Sequence, residues 1–232
     1  MSGHGGELAP TLAAFPPRRI MRDEIIDTLR AAVISGQLKA NRVYSAPILA
    51  EQFGVSPTPV REAMIQLAND GLMESVRKKG FRVRQPSDEE LDELAELRML
   101  LEVPTVRRIA EMGVAPEALA ELRALARGIE RAAADNDVIA HVTIDLEYHC
   151  KLLALSGNRH LVEIVRSLKA QSRITGLPEL ADDDQLVPSA HEHTEILDMI
   201  AAGDADGAER LMRDHIGHVR GIWAQGRAAL EE

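Results

Sequence analysis

A short stretch around residue 60 combines helix-starting residues with a helical apolar stripe, and it limits how the first third of the chain can fold. Ser56 suits a helix-capping position, and Pro57 and Pro59 fall in the first turn, where backbone N–H groups have no partner within the helix. Apolar residues then recur at helical spacing at Val60, Met64 and Leu67. Thr58 and Arg61 lie on other faces near the helix start, which is typical of a helix that reads the major groove of DNA.

The segments on either side of this stretch complete a winged helix-turn-helix. Helical stripes at Ile20–Ser35 and from Ser45 to Phe53 come before it, each followed by a glycine. Residues 72–76 and 81–84 read as two strands, with Gly80 predicted to give the hairpin its turn freedom. Five of the eight residues from 77 to 84 are cationic. Directly after a helix-turn-helix, this pattern favours a wing on DNA phosphates over a solvated hairpin tip.

These segments resemble the GntR superfamily of winged-helix transcription factors over residues 21–85. The resemblance is carried by the blocks ISGQL at 34–38, LAEQFGVS at 49–56, TPVREA at 58–63, LANDGL at 67–72 and GFRV at 80–83. It implies that Pro57, Thr58, Arg61 and Gly80 lie against DNA, with Lys78 and Lys79 in the wing.

This sequence departs from the family pattern at two places, and both affect which residues are predicted to recognise the DNA sequence. Position 57 is often basic in the family, but proline has no hydrogen bond to give to a base edge. The usual Pro-Gly before the second helix is here Ala40-Asn41. We therefore expect sequence readout to rest on Arg61, Thr58 and the wing. A salt bridge to a nearby carboxylate is the alternative role for Arg61.

The charge distribution divides the chain near Gln85-Pro86. Residues 1–86 hold 12 lysines and arginines against 8 acidic residues, whereas residues 87–232 hold 15 against 29, within a net charge of −10. A basic front and an acidic remainder favour a nucleic-acid-binding module joined to a second domain. We expect a disordered tail over 1–19, a DNA-binding domain over 20–86 and a helical domain over 87–232. With one cysteine, no secretory signal and no apolar run of membrane-spanning length, we expect a soluble, cytoplasmic protein with no membrane partner.

The second domain reads as helix throughout, beginning with a capping box in which Ser87 and Glu90 cap each other. The first four predicted helices run from there to about Met112, from Pro116 to Asp135, from Val138 to Leu155 and from Arg159 to Thr175. After a polar loop at 181–185, a fifth helix runs to Ala202, and after a cap at Asp204 a sixth runs to about Ala229. The predicted fold is mostly α: an N-terminal winged helix-turn-helix and a C-terminal antiparallel bundle of about six helices.

One carboxylate and three imidazoles on three of these helices are predicted to point into the bundle, from among Asp145, His149, His193, His215 and His218. Asp145 and His149 are four residues apart and therefore share a helix face. His193 lies on the apolar stripe of its helix, and His215 and His218 share a stripe on the last one. One carboxylate with three imidazoles suits zinc, nickel, manganese or iron. The alternative is that each is an ordinary buried polar group with a hydrogen-bond partner.

A second resemblance covers residues 88–225, which look like the FCD ligand-binding domain that defines the FadR subfamily. It is carried by ELRMLLE at 96–102, DLEYH at 145–149, LSGN at 155–158, Glu192-His193, AAGD at 201–204 and MRDH at 212–215. It implies a divalent metal, zinc before the other three, on Asp145, His149, His193 and His215. It also implies that Arg98 faces an effector carboxylate, and we expect His218 to line the cavity.

Together these features predict a homodimeric repressor that binds double-stranded operator DNA with an inverted repeat and responds to a small carboxylate-bearing effector. Arg98 has an alternative role in a salt bridge with a neighbouring glutamate. Two alternatives to an effector-docking metal exist for the second domain: a metal with a purely structural role, or no metal at all. A metal-dependent hydrolase is disfavoured, because no general acid/base motif accompanies the ligands.

Overall fold

The computed structural model of the chain describes residues 18–172 and 186–228, with the side chains of 18–21 and 221–228 excepted. Its first part contains helices α1 (Arg18–Ile34), α2 (Ala46–Phe53) and α3 (Pro57–Asn69), with strands β1 (Val43–Tyr44), β2 (Met73–Val76) and β3 (Gly80–Val83). Its second part contains α4 (Asp88–Met112), α5 (Pro116–Ala134), α6 (Val138–Ala154), α7 (Arg159–Ser172), α8 (Leu186–Ala202) and α9 (Ala205–Ala228). The predicted fold class, a winged helix-turn-helix before a helical bundle, is confirmed.

The first part is built around the apolar stripes of its three helices. Val60, Ala63, Met64 and Leu67 of α3 are buried against α1, α2 and the sheet. Serines precede α2 and α3 at the cap positions, but neither Ser45 nor Ser56 makes a side-chain cap hydrogen bond, and the first turns of both helices lack acidic residues. The predicted cap position at Ser56 is therefore right, although its hydroxyl does not cap the helix.

The sheet has one strand more than the sequence predicts. Its order is β1-β3-β2, and both pairings are antiparallel. β1 has only two residues, too few to show an alternation of apolar and polar positions. It places the Tyr44 carbonyl oxygen beside Gly80, where a side-chain Cβ would overlap with it. Gly80 is therefore required for this close approach as well as for its φ of 128°, while the hairpin turn itself has Lys78 at a φ of 61°.

Helix boundaries differ from the predicted ones by a few residues. α1 begins at Arg18 rather than Ile20, and the rest of the predicted tail lies outside the described residues. The predicted end of the fourth bundle helix and the polar loop after it also fall in the range 173–185, outside the described residues. The division of the chain at residue 86 stays a prediction.

The second part has six helices among its described residues, packed around one apolar core. Its largest buried side chains include Tyr148, Leu152, Leu153, Ile109 and Leu122. The Ser87 hydroxyl accepts a hydrogen bond from the Glu90 N–H at 3.1 Å, as predicted. The predicted return contact from Glu90 is wrong, because its carboxylate pairs with Arg84 of the winged part. No helix in the described ranges combines the length and apolar character needed to cross a bilayer.

In the described ranges, the two parts touch at the end of α7 and at the end of α1, and Arg84 pairs with Glu90 between them. At the end of α7, Ala170 packs against the core of the winged part, and Gln171 lies over Gly71 at the end of α3. Ile34, the last residue of α1, forms a small apolar cluster with Val142 of α6 and Val219 of α9.

Candidate metal centre and nucleic-acid interface

The N-terminal end of α3 is open to solvent. Pro57, Thr58 and Arg61 are all exposed, while the opposite face of the helix is buried. Within the described part of the chain, Arg61 makes no hydrogen bond or salt bridge. The alternative role of Arg61 as a partner of a nearby carboxylate therefore finds no support in this geometry.

A basic cleft of about 490 Å³ lies between this end of α3, the start of α2 and the wing. Its lining includes Ser45, Pro47, Arg61 and the wing residues Arg77, Lys78, Lys79 and Gly80. Pro57 and Thr58 are outside this lining. Several cations on one concave surface provide the donors that phosphate groups need.

The four predicted metal ligands converge in the bundle. Asp145 and His149 come from α6, His193 from α8 and His215 from α9, and one potential ligand atom of each lies within 4.8 Å of the others. All four are buried. His193 Nε2 is 3.0 Å from Asp145 Oδ1, and His149 Nε2 is 3.7 Å from the same oxygen. The helical spacing in the sequence therefore brings these side chains together as expected.

Each imidazole of this cluster is oriented by a separate acceptor on its Nδ1 atom. His149 Nδ1 lies 2.6 Å from the Glu102 carboxylate, His193 Nδ1 lies 3.1 Å from the carbonyl oxygen of Ala190, and His215 Nδ1 lies 2.7 Å from Glu192. Acceptors on one ring nitrogen fix the tautomer and present the other nitrogen for coordination, which is the usual arrangement around protein-bound metals. The Nε2 atoms of His149 and His215 are buried and have no hydrogen-bond partner among the described residues.

Burial also keeps His149 and His215 in the neutral form that binds metals. Burial, with Lys169 nearby, lowers the pKa of His149 to about 3. Burial and the neighbouring His193 hold the pKa of His215 well below its ordinary value. Because a metal binds the neutral imidazole, neither ring has to lose a proton at neutral pH. The donor set and its orientation therefore fit a divalent ion.

Lys169 is a member of this cluster that the sequence analysis missed. Its Nζ atom lies 2.9 Å from Asp145 Oδ2, and the side chain is completely buried. The sequence carried a signal, since Leu161, Val165 and Lys169 are spaced four apart and Val165 is a core residue. A lysine that continues an apolar stripe is rarely buried without a charged partner.

Glu102 is a second residue whose role was not predicted. It is fully buried between Arg98 Nε, at 2.6 Å, and His149. Burial opposes its ionisation, but the Arg98 guanidinium and His149 lower its pKa well below the ordinary value. Arg98 therefore forms the intradomain salt bridge that was the alternative to an effector contact, although its Nη2 atom is buried without a hydrogen-bond partner among the described residues.

His218 lies outside the buried cluster. Its side chain is 62% exposed, and its Nδ1 atom is 2.6 Å from Glu192, the carboxylate that also orients His215. It therefore touches the cluster through Glu192 and from the solvent side.

Comparisons with known proteins agree with both resemblances drawn from the sequence. Residues 21–83 match the family model for "Bacterial regulatory proteins, gntR family", and residues 93–218 match the model for the FCD domain. A "Probable D-xylose utilization operon transcriptional repressor" of Paenarthrobacter nicotinovorans is 28% identical over 86% of this chain and 88% of its own length. An uncharacterized HTH-type transcriptional regulator of Streptomyces ambofaciens is 30% identical over 85% of this chain and 83% of its own.

A solved structure shows the same fold. That of Escherichia coli McbR/YncC superposes with a TM-score of 0.76 at 24% identity and covers 88% of this chain and 97% of its own. The chain therefore belongs to the GntR family of bacterial regulatory proteins, carries an FCD domain, and is a transcriptional regulator rather than an enzyme.

Proposed function

We propose that this protein is a homodimeric, cytoplasmic repressor of the FadR subfamily whose binding to an inverted-repeat operator is controlled by a small organic acid in the helical bundle. The acid would dock at a divalent ion, zinc before nickel, manganese or iron, held by Asp145, His149, His193 and His215. The observation that carries the proposal is the orientation of three imidazoles around one carboxylate, each held through Nδ1.

The DNA-binding part of the proposal is supported by the basic cleft. Arg61 is exposed and unpaired in the described structure, so it can approach a base edge without first losing an intramolecular partner. Lys78, Lys79 and the Gly80 backbone lie on the wing side of the same cleft. The acidic second part repels DNA, so contact is left to the basic module, and affinity should fall steeply with salt.

The effector part of the proposal is supported by buried polar atoms that lack partners. A bound divalent ion would supply a Lewis-acidic position for one carboxylate oxygen of the acid. Arg98 is the nearby cation, and its Nη2 atom is unpartnered among the described residues. Arg98 also borders a cavity of about 10 Å³ between α4, α7 and α9, which is room for about one water molecule. An organic acid would therefore have to move these helices apart, which links its binding to a change of shape.

Dimer formation is supported by an apolar strip on α4. Leu97 and Leu100 are 47% and 64% exposed and are three residues apart, so they lie on neighbouring parts of one helix surface. Exposed leucines of this kind are typical of protein contact surfaces. A dimer would set the spacing of two winged parts on an inverted repeat.

The metal assignment is tested by replacing one histidine on α8 and its neighbour on the same helix. Purified His193→Ala protein should lose the bound metal found in the parent by elemental analysis. His191→Ala is the matched control, because His191 lies two residues away with its side chain 65% exposed. Equal metal content in the parent and His193→Ala would refute the ligand assignment.

The recognition-helix assignment is tested with Arg61→Ala. We expect this variant to lose binding to DNA from upstream of its own gene, because one bidentate base contact is worth about 1–3 kcal/mol of discrimination. Folding, measured by circular dichroism, and metal content should be unchanged. Binding as tight as that of the parent would show that Arg61 is not a readout residue.

One observation favours a metal-free regulator as the second candidate. Lys169 already places a positive charge on Asp145, so this carboxylate has a charge partner without any ion. If the purified parent contains no metal and binds none on addition of zinc, this second candidate holds.

A further inference from the structure

The last turn of α7 joins the metal cluster to the recognition helix through three consecutive residues. Lys169 points into the bundle and pairs with Asp145. Ala170 packs against the apolar core of the winged part. Gln171 lies over Gly71, so closely that a Cβ on Gly71 would overlap with the Gln171 side chain. One helical turn therefore contacts both a metal ligand and the segment that ends α3.

The contact at Gly71 is made of several groups. Arg84 Nη1 lies 3.4 Å from the Gly71 carbonyl oxygen and 3.5 Å from Gln171 Oε1, and its Nη2 pairs with Glu90 at the start of α4. Gln171 is also tied to its own helix, because its amide nitrogen donates to Ser167 Oγ at 3.1 Å. The Gln171 side chain is thus held from α7 and meets the winged part at Gly71, two residues beyond the end of α3.

A cation bound to Asp145 would act directly on Lys169. Its ammonium is 2.9 Å from one oxygen of a carboxylate whose other oxygen faces the imidazoles of His149 and His193. A divalent ion on this carboxylate would draw its charge away from Lys169 and repel the ammonium. Because the side chain is completely buried, it has no water to turn towards. A close-packed interior passes such a displacement to the helix backbone.

We propose that the last turn of α7 links occupancy of the metal cluster to the position of the recognition helix, with Lys169 as the cluster-side residue and Gln171 as the DNA-side residue. This inference rests on the proposed metal site and goes beyond it, because the metal would then be a signal in its own right and not only a docking point. The link runs from Asp145 to Lys169, then along the backbone of α7 to Gln171, and from Gln171 to Gly71 after the end of α3.

The second contact between the parts lies on the same helices as the ligands. Val142 precedes Asp145 by three residues on α6, and Val219 follows His215 by four on α9, and both pack against Ile34 of α1. Residues three or four apart share a helix face. The winged part therefore contacts segments that lie one turn away from Asp145 and His215. A shift of the helices that carry the ligands would displace the winged part at Ile34 as well as at the end of α7.

Hydrogen exchange of the full-length protein tests the link with zinc as the only ligand. The amides of Asp70, Gly71 and Leu72 bond back onto the last turn of α3, at 2.9, 3.1 and 2.9 Å, and report on that end of the helix. We expect zinc added to chelator-treated parent protein to change their exchange rates at least fivefold. In Gln171→Ala the change should fall below twofold, while zinc affinity stays within twofold of the parent value.

Two further variants complete the design. Gln37→Ala replaces an exposed glutamine in the loop after α1 and should behave like the parent. Lys169→Met should bind zinc without passing the change to the three amides, and Gln171→Ala keeps the test decisive if this buried substitution prevents folding. A full zinc response in Gln171→Ala, or a parent that binds zinc without any response at these amides, would overturn the link alone. A parent that binds neither zinc nor nickel, manganese or iron would overturn both the link and the proposed metal site.

Discussion

Replacing Lys169 by methionine should destabilise the metal-free protein far more than the zinc-loaded protein. The substitution keeps the length and apolar part of the side chain and removes only the charge. Asp145 and Lys169 are both almost completely buried and 2.9 Å apart, so the change removes a buried positive charge that pairs with this carboxylate. Removing one partner of a buried ion pair costs about 3–5 kcal/mol.

Zinc should offset most of this loss. An ion held by Asp145 supplies the positive charge that the variant lacks, and it no longer meets the ammonium of Lys169. If the cost falls from about 3 to about 1 kcal/mol on zinc loading, the folded variant binds zinc about 30-fold more tightly than the parent, since each 1.4 kcal/mol is about tenfold. Competition with a chelator should give the same 30-fold difference in zinc affinity between the variant and the parent.

The assay is urea unfolding followed by far-ultraviolet circular dichroism, with either a chelator or excess zinc present. Lys151→Met is the matched control, because Lys151 pairs with Glu121 on the protein surface and its loss should be small in both conditions. If Lys169→Met costs the same free energy of unfolding with and without zinc, or costs no more than the control, Lys169 is not the charge partner of a metal-binding Asp145.

Three further predictions follow from other buried or strained positions. Glu102→Ala should lower the free energy of unfolding by about 3–5 kcal/mol in urea titrations, because it leaves the buried Arg98 unpaired, and a loss below about 1 kcal/mol would contradict this. Gly80→Ala should weaken DNA binding in anisotropy titrations, because its Cβ would overlap with the Tyr44 carbonyl oxygen and displace the wing, whereas Gly113→Ala, also at positive φ but with open space, should not. In metal-free protein the pKa of His149 is about 3 when folded and near 6.5 when unfolded, so only the unfolded chain takes up a proton as the pH falls below about 6.5. The free energy of unfolding should therefore drop by about 1.4 kcal/mol per histidine at about pH 5.5, and His149→Gln should lose this part of the urea-measured pH dependence.

Much of the fold and the four-residue cluster follow from spacing within single helices. Asp145 and His149 share a face because they are four apart, and the apolar residues after His193 mark its face as buried. His218 shows the limit of this reasoning. It is three residues from His215, which turns it by about 60° around the helix axis, enough to move from the core to the rim.

The residues that the sequence analysis missed depend on contacts between helices. Lys169 meets Asp145 across the α6–α7 contact, and Glu102 meets His149 across α4 and α6. Their partners are decided by the relative rotation of packed helices, which no local pattern encodes. β1 was missed for a related reason, since its two residues become a strand only by pairing with β3.

The uncapped starts of α2 and α3 have a consequence for how this regulator balances stability against affinity. Ser45 and Ser56 leave the first-turn amides of both helices without a side-chain acceptor, and no acidic residue offsets the positive end of either helix dipole. An aspartate at either position would raise the stability of the free protein, yet it would occupy the place that a duplex phosphate needs and repel it. On the proposed function, DNA phosphates supply the acceptors that these two helix starts lack. The winged part is therefore more stable when it is bound to its operator than when it is free.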